Sequence, residues 1–259
     1  MQEYKKPLFQ KGRVLKKEGL EALWDFPAGL ASTMLDGWHD GILSGFGISY
    51  IMEDNGKGQL IVESGAVLHK GQVVLAGKEV FPFDAFDRQI AVRLYILPGY
   101  TADDFYIWPL EIRIEGIQDS TGGLELGRFR LSQGARLRKE YQDMQDFHTA
   151  YNTLDITNVQ YAGPGGITIP PVVLQVFARM VMANKAAREA DISFALMCLG
   201  QAPVPRECLL WYISHRLDME YREIKEMGHN EIYEALVRIA GAGRRGEGLG
   251  QRKDGPAVF

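Results

Sequence analysis

The feature that most constrains this chain is a change of hydrophobic period partway along it. Up to about residue 132, short apolar runs alternate with polar residues and are cut by glycine. Beyond Pro170-Pro171, apolar residues recur every three or four positions. Period two belongs to half-buried strands and a period near 3.6 to amphipathic helices. The order predicts an α+β chain. A β-sandwich-like domain over 1–132 is followed by a connector (133–168), an antiparallel helical bundle (169–242) and a Gly/Arg-rich tail (243–259).

The first domain opens with a short helix over Lys17 to Trp24, expected to end at Pro27. A second short helix carries Leu30, Met34, Leu35 and Trp38 on one face. Ile42 to Met52 is rich in β-formers but interrupted by Gly45 and Gly47, which predicts one twisted or bulged strand. Asn55-Gly56 signals a hairpin turn. Gln59 to Glu63, Ala66 to His69 and Gln72 to Ala76 follow as strands, separated by Ser64-Gly65 and Lys70-Gly71. Arg88 to Leu97 places Ile90, Val92, Leu94 and Ile96 on one face and Arg93 and Tyr95 on the other. Tyr106 to Ile114 alternates similarly. In Leu124 to Leu131 the apolar phase switches around Gly127, which predicts a β-bulge.

The connector reads as solvated charge, with Arg136, Arg138, Lys139 and Glu140, and as loop at Ala162-Gly163-Pro164-Gly165-Gly166. In the bundle, helices are expected after Pro170-Pro171, over Ala187 to Leu199, over Pro205 to Leu217, and from an Asn230 cap to Gly241, with Met219 to Met227 extending the third or starting another. Val173, Phe177, Val181, Phe194, Leu210, Ile213, Leu236 and Val237 are its expected core. The tail from Gly243 to Phe259 has too little apolar content to pack on itself. Arg244, Arg245 and Arg252, with Phe259 as an apolar anchor, are expected to dock on a partner chain.

Chemistry-bearing motifs give little. The net charge of −4 draws no nucleic acid, although the arm from Lys5 to Lys17 is locally basic, and no apolar run reaches the length of a membrane span. The two cysteines, Cys198 and Cys208, sit in apolar helical sequence and predict free, buried thiols and a cytoplasmic origin. Gly241, Gly243 and Gly246 match a dinucleotide fingerprint in letters, but a helix precedes them and none follows. Asp36, His39, Asp40 and His69 do not form a convincing metal set. No catalytic, cofactor-binding or metal residue is assigned, and a non-enzymatic role is expected. Tyr100, Tyr106 and Trp108 are the exposed-aromatic candidates for a carbohydrate or peptide groove.

Three stretches carry a resemblance: Asp40 to Phe46 (DGILSGF), Leu60 to Val67 (LIVESGAV) and Gly71 to Leu75 (GQVVL). This glycine-punctuated pattern resembles the N-terminal domain of phage tail-fibre and baseplate-adaptor proteins. The order of sandwich then bundle is similar to the type VI secretion baseplate adaptor. The resemblance implies a β-sandwich that plugs into a baseplate, other tail or baseplate subunits as partners, and a homo-oligomer, a trimer in that family. It implies no catalytic residue. The chain has no evident receptor-binding head or fibrous shaft, which favours an internal component of a virion or injection particle, cytoplasmic before assembly. The alternative is a carbohydrate- or peptide-binding module.

Overall fold

A computed structural model describes residues 11–12, 14, 16–52, 58–117, 122–149, 151–200 and 202–242. It is α+β, with small antiparallel sheets and, among the described residues, six α-helices. The expected turn at Asn55-Gly56 and the tail from Gly243 lie outside the described residues.

Three consecutive strands, each broken once, build the first part of the fold. The first is β1 (Gly41–Gly45) and β2 (Ile48–Met52), the second β3 (Gly58–Val62) and β4 (Gly65–His69), the third β5 (Gln72–Ala76) and β6 (Glu79–Pro82). β4 lies between β1 and β5 in one sheet, while β3 lies between β2 and β6 in another. The breaks fall side by side. Phe46 N donates to Ser64 O at 3.1 Å, Glu63 N to Gly47 O at 2.9 Å, and Lys78 Nζ to Glu63 Oε1 at 2.9 Å. The three-stranded meander therefore turns a corner along one line and becomes two sheets. The single bulged strand expected over Ile42 to Met52 is corrected to two strands. Gly45 (φ +84°) and Phe46 (φ +58°) turn the backbone between them, and a Cβ on Gly45 would lie 2.3 Å from Ser64 O. Lys70-Gly71 closes β4 to β5 with both residues at positive φ, as a two-residue hairpin requires.

β7 (Gln89–Ile96) is followed by a small hairpin, β8 (Tyr100–Ala102) and β9 (Phe105–Ile107), and then by β10 (Leu110–Gly116) and β11 (Leu124–Arg130). β7 is the central strand between β10 and β11. The register of β11 on β7 shifts between Glu125 and Gly127, where the apolar phase of the sequence switches. Ile90, Val92 and Leu94 are buried together with Phe46, Leu60 and Phe129, so these sheets share one apolar cluster. The opposite face is a polar lattice. Glu125 sits between Arg93 (2.9 Å) and Arg128 (2.6 Å), and Tyr95 OH donates to Glu115 at 3.0 Å.

The N-terminal helices also differ from expectation. One helix, α1 (Lys17–Met34), spans both, with Pro27 inside it. Proline removes one backbone donor and crowds the preceding turn, but it does not oblige a helix to stop. Trp38 lies beyond the helix, bridged to Pro164.

Residues 133–168 are not a solvated link. A short 3-10 helix, Met144–His148, opens with a capping box from Asp143 and Asp146. Its Met144 and Phe147 are buried in the helical core, whereas Leu137, Leu154 and Val159 are buried in the sheet cluster. Ile156 packs against both. Tyr161 runs parallel to Ile42, and Ala162 N donates to Ile42 O at 2.9 Å, which ties the segment to β1.

The helical part consists of α2 (Pro171–Ala183), α3 (Glu189–Cys198), α4 (Arg206–Leu217), α5 (Tyr221–Ile224) and α6 (His229–Ala242). Prolines precede or open α2 and α4, where the missing N–H has no partner to lose. The expected cap at Asn230 moves to the preceding turn, where Gly228 N donates to Glu231 Oε2 at 2.6 Å. Seven of the eight expected core residues are buried, and Val237 packs half-buried on the cluster. Asp191 is the unexpected member. It is buried between α3 and α4, accepts from Tyr212 OH at 2.9 Å and Arg188 N at 2.9 Å, and meets Arg216 Nε at 2.5 Å.

Candidate protein-protein interfaces

Among the described residues, the surfaces that expose large apolar side chains include three on different elements. The first is α1, an 18-residue helix in which no residue is buried. Trp24 is 76% exposed and Met34 70%, and Leu20, Leu23, Phe26 and Leu30 are each about half exposed. Its less exposed residues are small, Gly19, Ala22 and Ala31. Its acids Glu18, Glu21 and Asp25 occupy the other side of the helical period, with Lys17 and Glu21 paired at 3.3 Å. α1 lies along β5, whose Val73 and Leu75 share an outward face, with Leu75 76% exposed. Helix and strand edge thus form one apolar surface.

The second surface is the outer side of α3. Its inner residues Asp191, Phe194, Ala195 and Cys198 are buried, yet Ile192, Leu196 and Leu199 form a second stripe at helical spacing that faces solvent. A helix apolar on both sides is ordinarily covered on both. Burial pushes the Cys198 thiol up to about 12, so it is an unreactive hydrophobe. Cys198 and Cys208 are both free, Cys198 buried and Cys208 half-buried.

The third surface is the β8–β9 hairpin, where Tyr100, Phe105 and Tyr106 are exposed. Tyr106 meets Trp108 edge-on at 5.3 Å, and Trp108 meets His69 at 5.9 Å. Gly99 lets both rings close over the backbone, since a Cβ there would lie 2.4 Å from Tyr106 Oη. Tyr100 pairs with Ile107, whereas Tyr106 pairs with Thr101. Alternation therefore puts Tyr100 on the opposite face of the ribbon from Tyr106. Of the three candidate groove residues, the fold brings together Tyr106 and Trp108.

Arg244, Arg245, Arg252 and Phe259 lie outside the described residues. Asp40 and His69, 3.7 Å apart, serve the β4–β5 turn, because Lys70 N donates to both Asp40 oxygens at 2.9 Å. Among the described residues, no three His, Cys, Asp or Glu side chains are grouped to hold a metal ion. No helix of the described residues is long and apolar enough to cross a membrane.

Among the described residues, clefts lie where the sheet and helical parts meet the 133–168 segment. One, of about 540 Å³, is lined by Asn158, Gln160, Arg206 and His229. The guanidinium of Arg206 donates to Met227 O. His229 Nε2 lies 3.1 Å from Thr168 O, and burial, aided by Arg206, holds its pKa below the usual histidine value. Another, of about 200 Å³, is largely apolar, between β1–β2 and the 133–168 segment. The α1 and α3 faces escape a sequence reading because a stripe of leucines and methionines looks the same whether it faces a core or a partner.

No protein-family model matches the sequence, and no curated protein matches it. Among solved structures, the chain is similar to a crystal structure of TssK, at 10% identity and a TM-score of 0.39, over 95% of this chain and 70% of that one. It is also similar to a chain of the type VI secretion system TssK-TssF-TssG baseplate subcomplex, at 9% identity and a TM-score of 0.40, over 92% of this chain and 100% of that one.

Proposed function

We propose that this protein is a non-enzymatic structural subunit of a phage-like contractile tail or injection-system baseplate, joining neighbouring subunits. The observation that carries this reading is the set of three separate apolar faces, on α1 with β5, on the outer side of α3 and on the β8–β9 hairpin. A monomer working alone gains nothing from exposing several such faces, whereas a subunit with several neighbours needs one for each. The bent, glycine-punctuated meander over residues 41–82 supports the same reading, because it coincides with the stretch that resembles baseplate-adaptor domains. In this reading 1–132 is sandwich-like, 169–242 is an antiparallel bundle, and 133–168 stitches them together. The tail, through Arg244, Arg245, Arg252 and Phe259, docks on a neighbour. The subunit is made in the cytoplasm and ends in a particle with other tail or baseplate subunits, as a homo-oligomer whose trimeric state rests on resemblance alone. Co-expression with the products of neighbouring genes, followed by native mass spectrometry, should give a complex of fixed stoichiometry. A chain that stays monomeric and captures none of them overturns the proposal.

The Tyr106–Trp108 pair favours one second reading, a carbohydrate- or peptide-binding module built on these two rings. A saturable tryptophan fluorescence change with a glycan or peptide, lost in Trp108→Ala, would support it.

A further inference from the structure

The spacing along α1 says what its exposed face fits. Leu20, Leu23, Pro27, Leu30 and Met34 follow one another at intervals of three, four, three and four residues. This is the seam of a helix that packs side by side with another helix of the same pitch. The positions flanking that seam between Leu20 and Met34 carry Trp24, Phe26, Ala31 and Thr33, and no charge. A face without flanking charges meets its own copy without like-charge repulsion, and here the acids Glu18, Glu21 and Asp25 point away from the seam. The exposed area is also sufficient. With Leu75 of β5 continuing the patch, the large apolar side chains present on the order of 800 Å² per protomer, the size of one side of a stable interface.

We infer that the apolar face of α1 docks on α1 of a second copy of this chain, with Leu75 at the margin of the contact. This rests on the reading of the chain as an assembly subunit and names the occupant of one of its faces. Because no residue of α1 is buried in the protomer, substitutions on the face can be made without opening the core.

The test is the mass of the full chain in solution across a concentration series, by light scattering, with circular dichroism as a check on folding. The wild-type chain is expected to be a multimer. Leu23→Glu combined with Leu30→Glu should weaken self-association by about 100-fold or more, with helix content retained. Leu196→Glu, on the outer side of α3, is the control and should leave the α1 contact intact. A wild-type chain that remains monomeric at every concentration overturns the inference, as does an oligomer unchanged by the α1 pair. If Leu196→Glu alone dissociates the multimer, α1 is not the self-contact, yet the assembly reading stands. If the chain is monomeric but binds a baseplate neighbour through α1, the occupant is a different protein and the inference fails by itself.

Discussion

At Gly65 one hydrogen atom in place of a methyl group lets the corner of the meander close. A Cβ there would sit 2.3 Å from the Phe46 ring, which is buried and held at positive φ by its neighbours. Gly65→Ala should therefore cost about 1–3 kcal/mol of stability, read from the urea midpoint, whereas Gly77→Ala on the third strand meets open space and should cost less. His229 supplies a second residue-scale test. Burial depresses its folded-state pKa below the unfolded value of about 6.5. Its contribution to stability is thus full above about pH 6.5 and is lost as the pH falls through the lower folded value. The melting temperature should drop across that window, and His229→Gln should flatten the drop. The glycines at 45, 47, 65 and 77 are plain in the sequence as interruptions. That three interruptions align into one corner depends on the register of β1/β2, β3/β4 and β5/β6, which no single strand encodes.

Among the elements, α2 and α4 are the most legible, because the apolar spacing of each marks both its span and its buried face. Val173, Phe177 and Val181 on α2, and Leu210 and Ile213 on α4, follow from spacing alone. Asp191 does not, since an acid on an apolar helix reads as surface until its partners are known. With Asp191 at 5% side-chain exposure and Arg216 at 14%, Asp191→Ala would strand a buried guanidinium. The expected loss is about 3–5 kcal/mol, and a loss under about 1 kcal/mol in a denaturation curve would show that Arg216 escapes to water. α1 misleads for the opposite reason. Pro27 is a strong local stop signal, and only tertiary context decides whether a helix continues through it.

At the scale of the whole molecule, residues 133–168 connect two apolar clusters and belong to both. Leu137, Leu154 and Val159 complete the sheet cluster, and Met144 and Phe147 complete the helical one. The charges of this segment conceal that role, because its buried residues are spread too thinly for either period to register. A fragment ending at residue 132 should fail to give a cooperative thermal transition, whereas the full chain should unfold in a single step. A sharp transition from the short fragment would show that its core closes without Leu154 and Val159. The corner in the meander has a mechanical consequence as well. The polypeptide crosses from one sheet to the other three times along one line, so a pull that separates them is carried by three covalent chains in parallel and not by hydrogen bonds alone. Such a joint resists opening like a folded strap, and it yields most readily by peeling β5–β6, the edge strand that lacks the ties β1 makes to Gln160 and Ala162, away from the strand beside it.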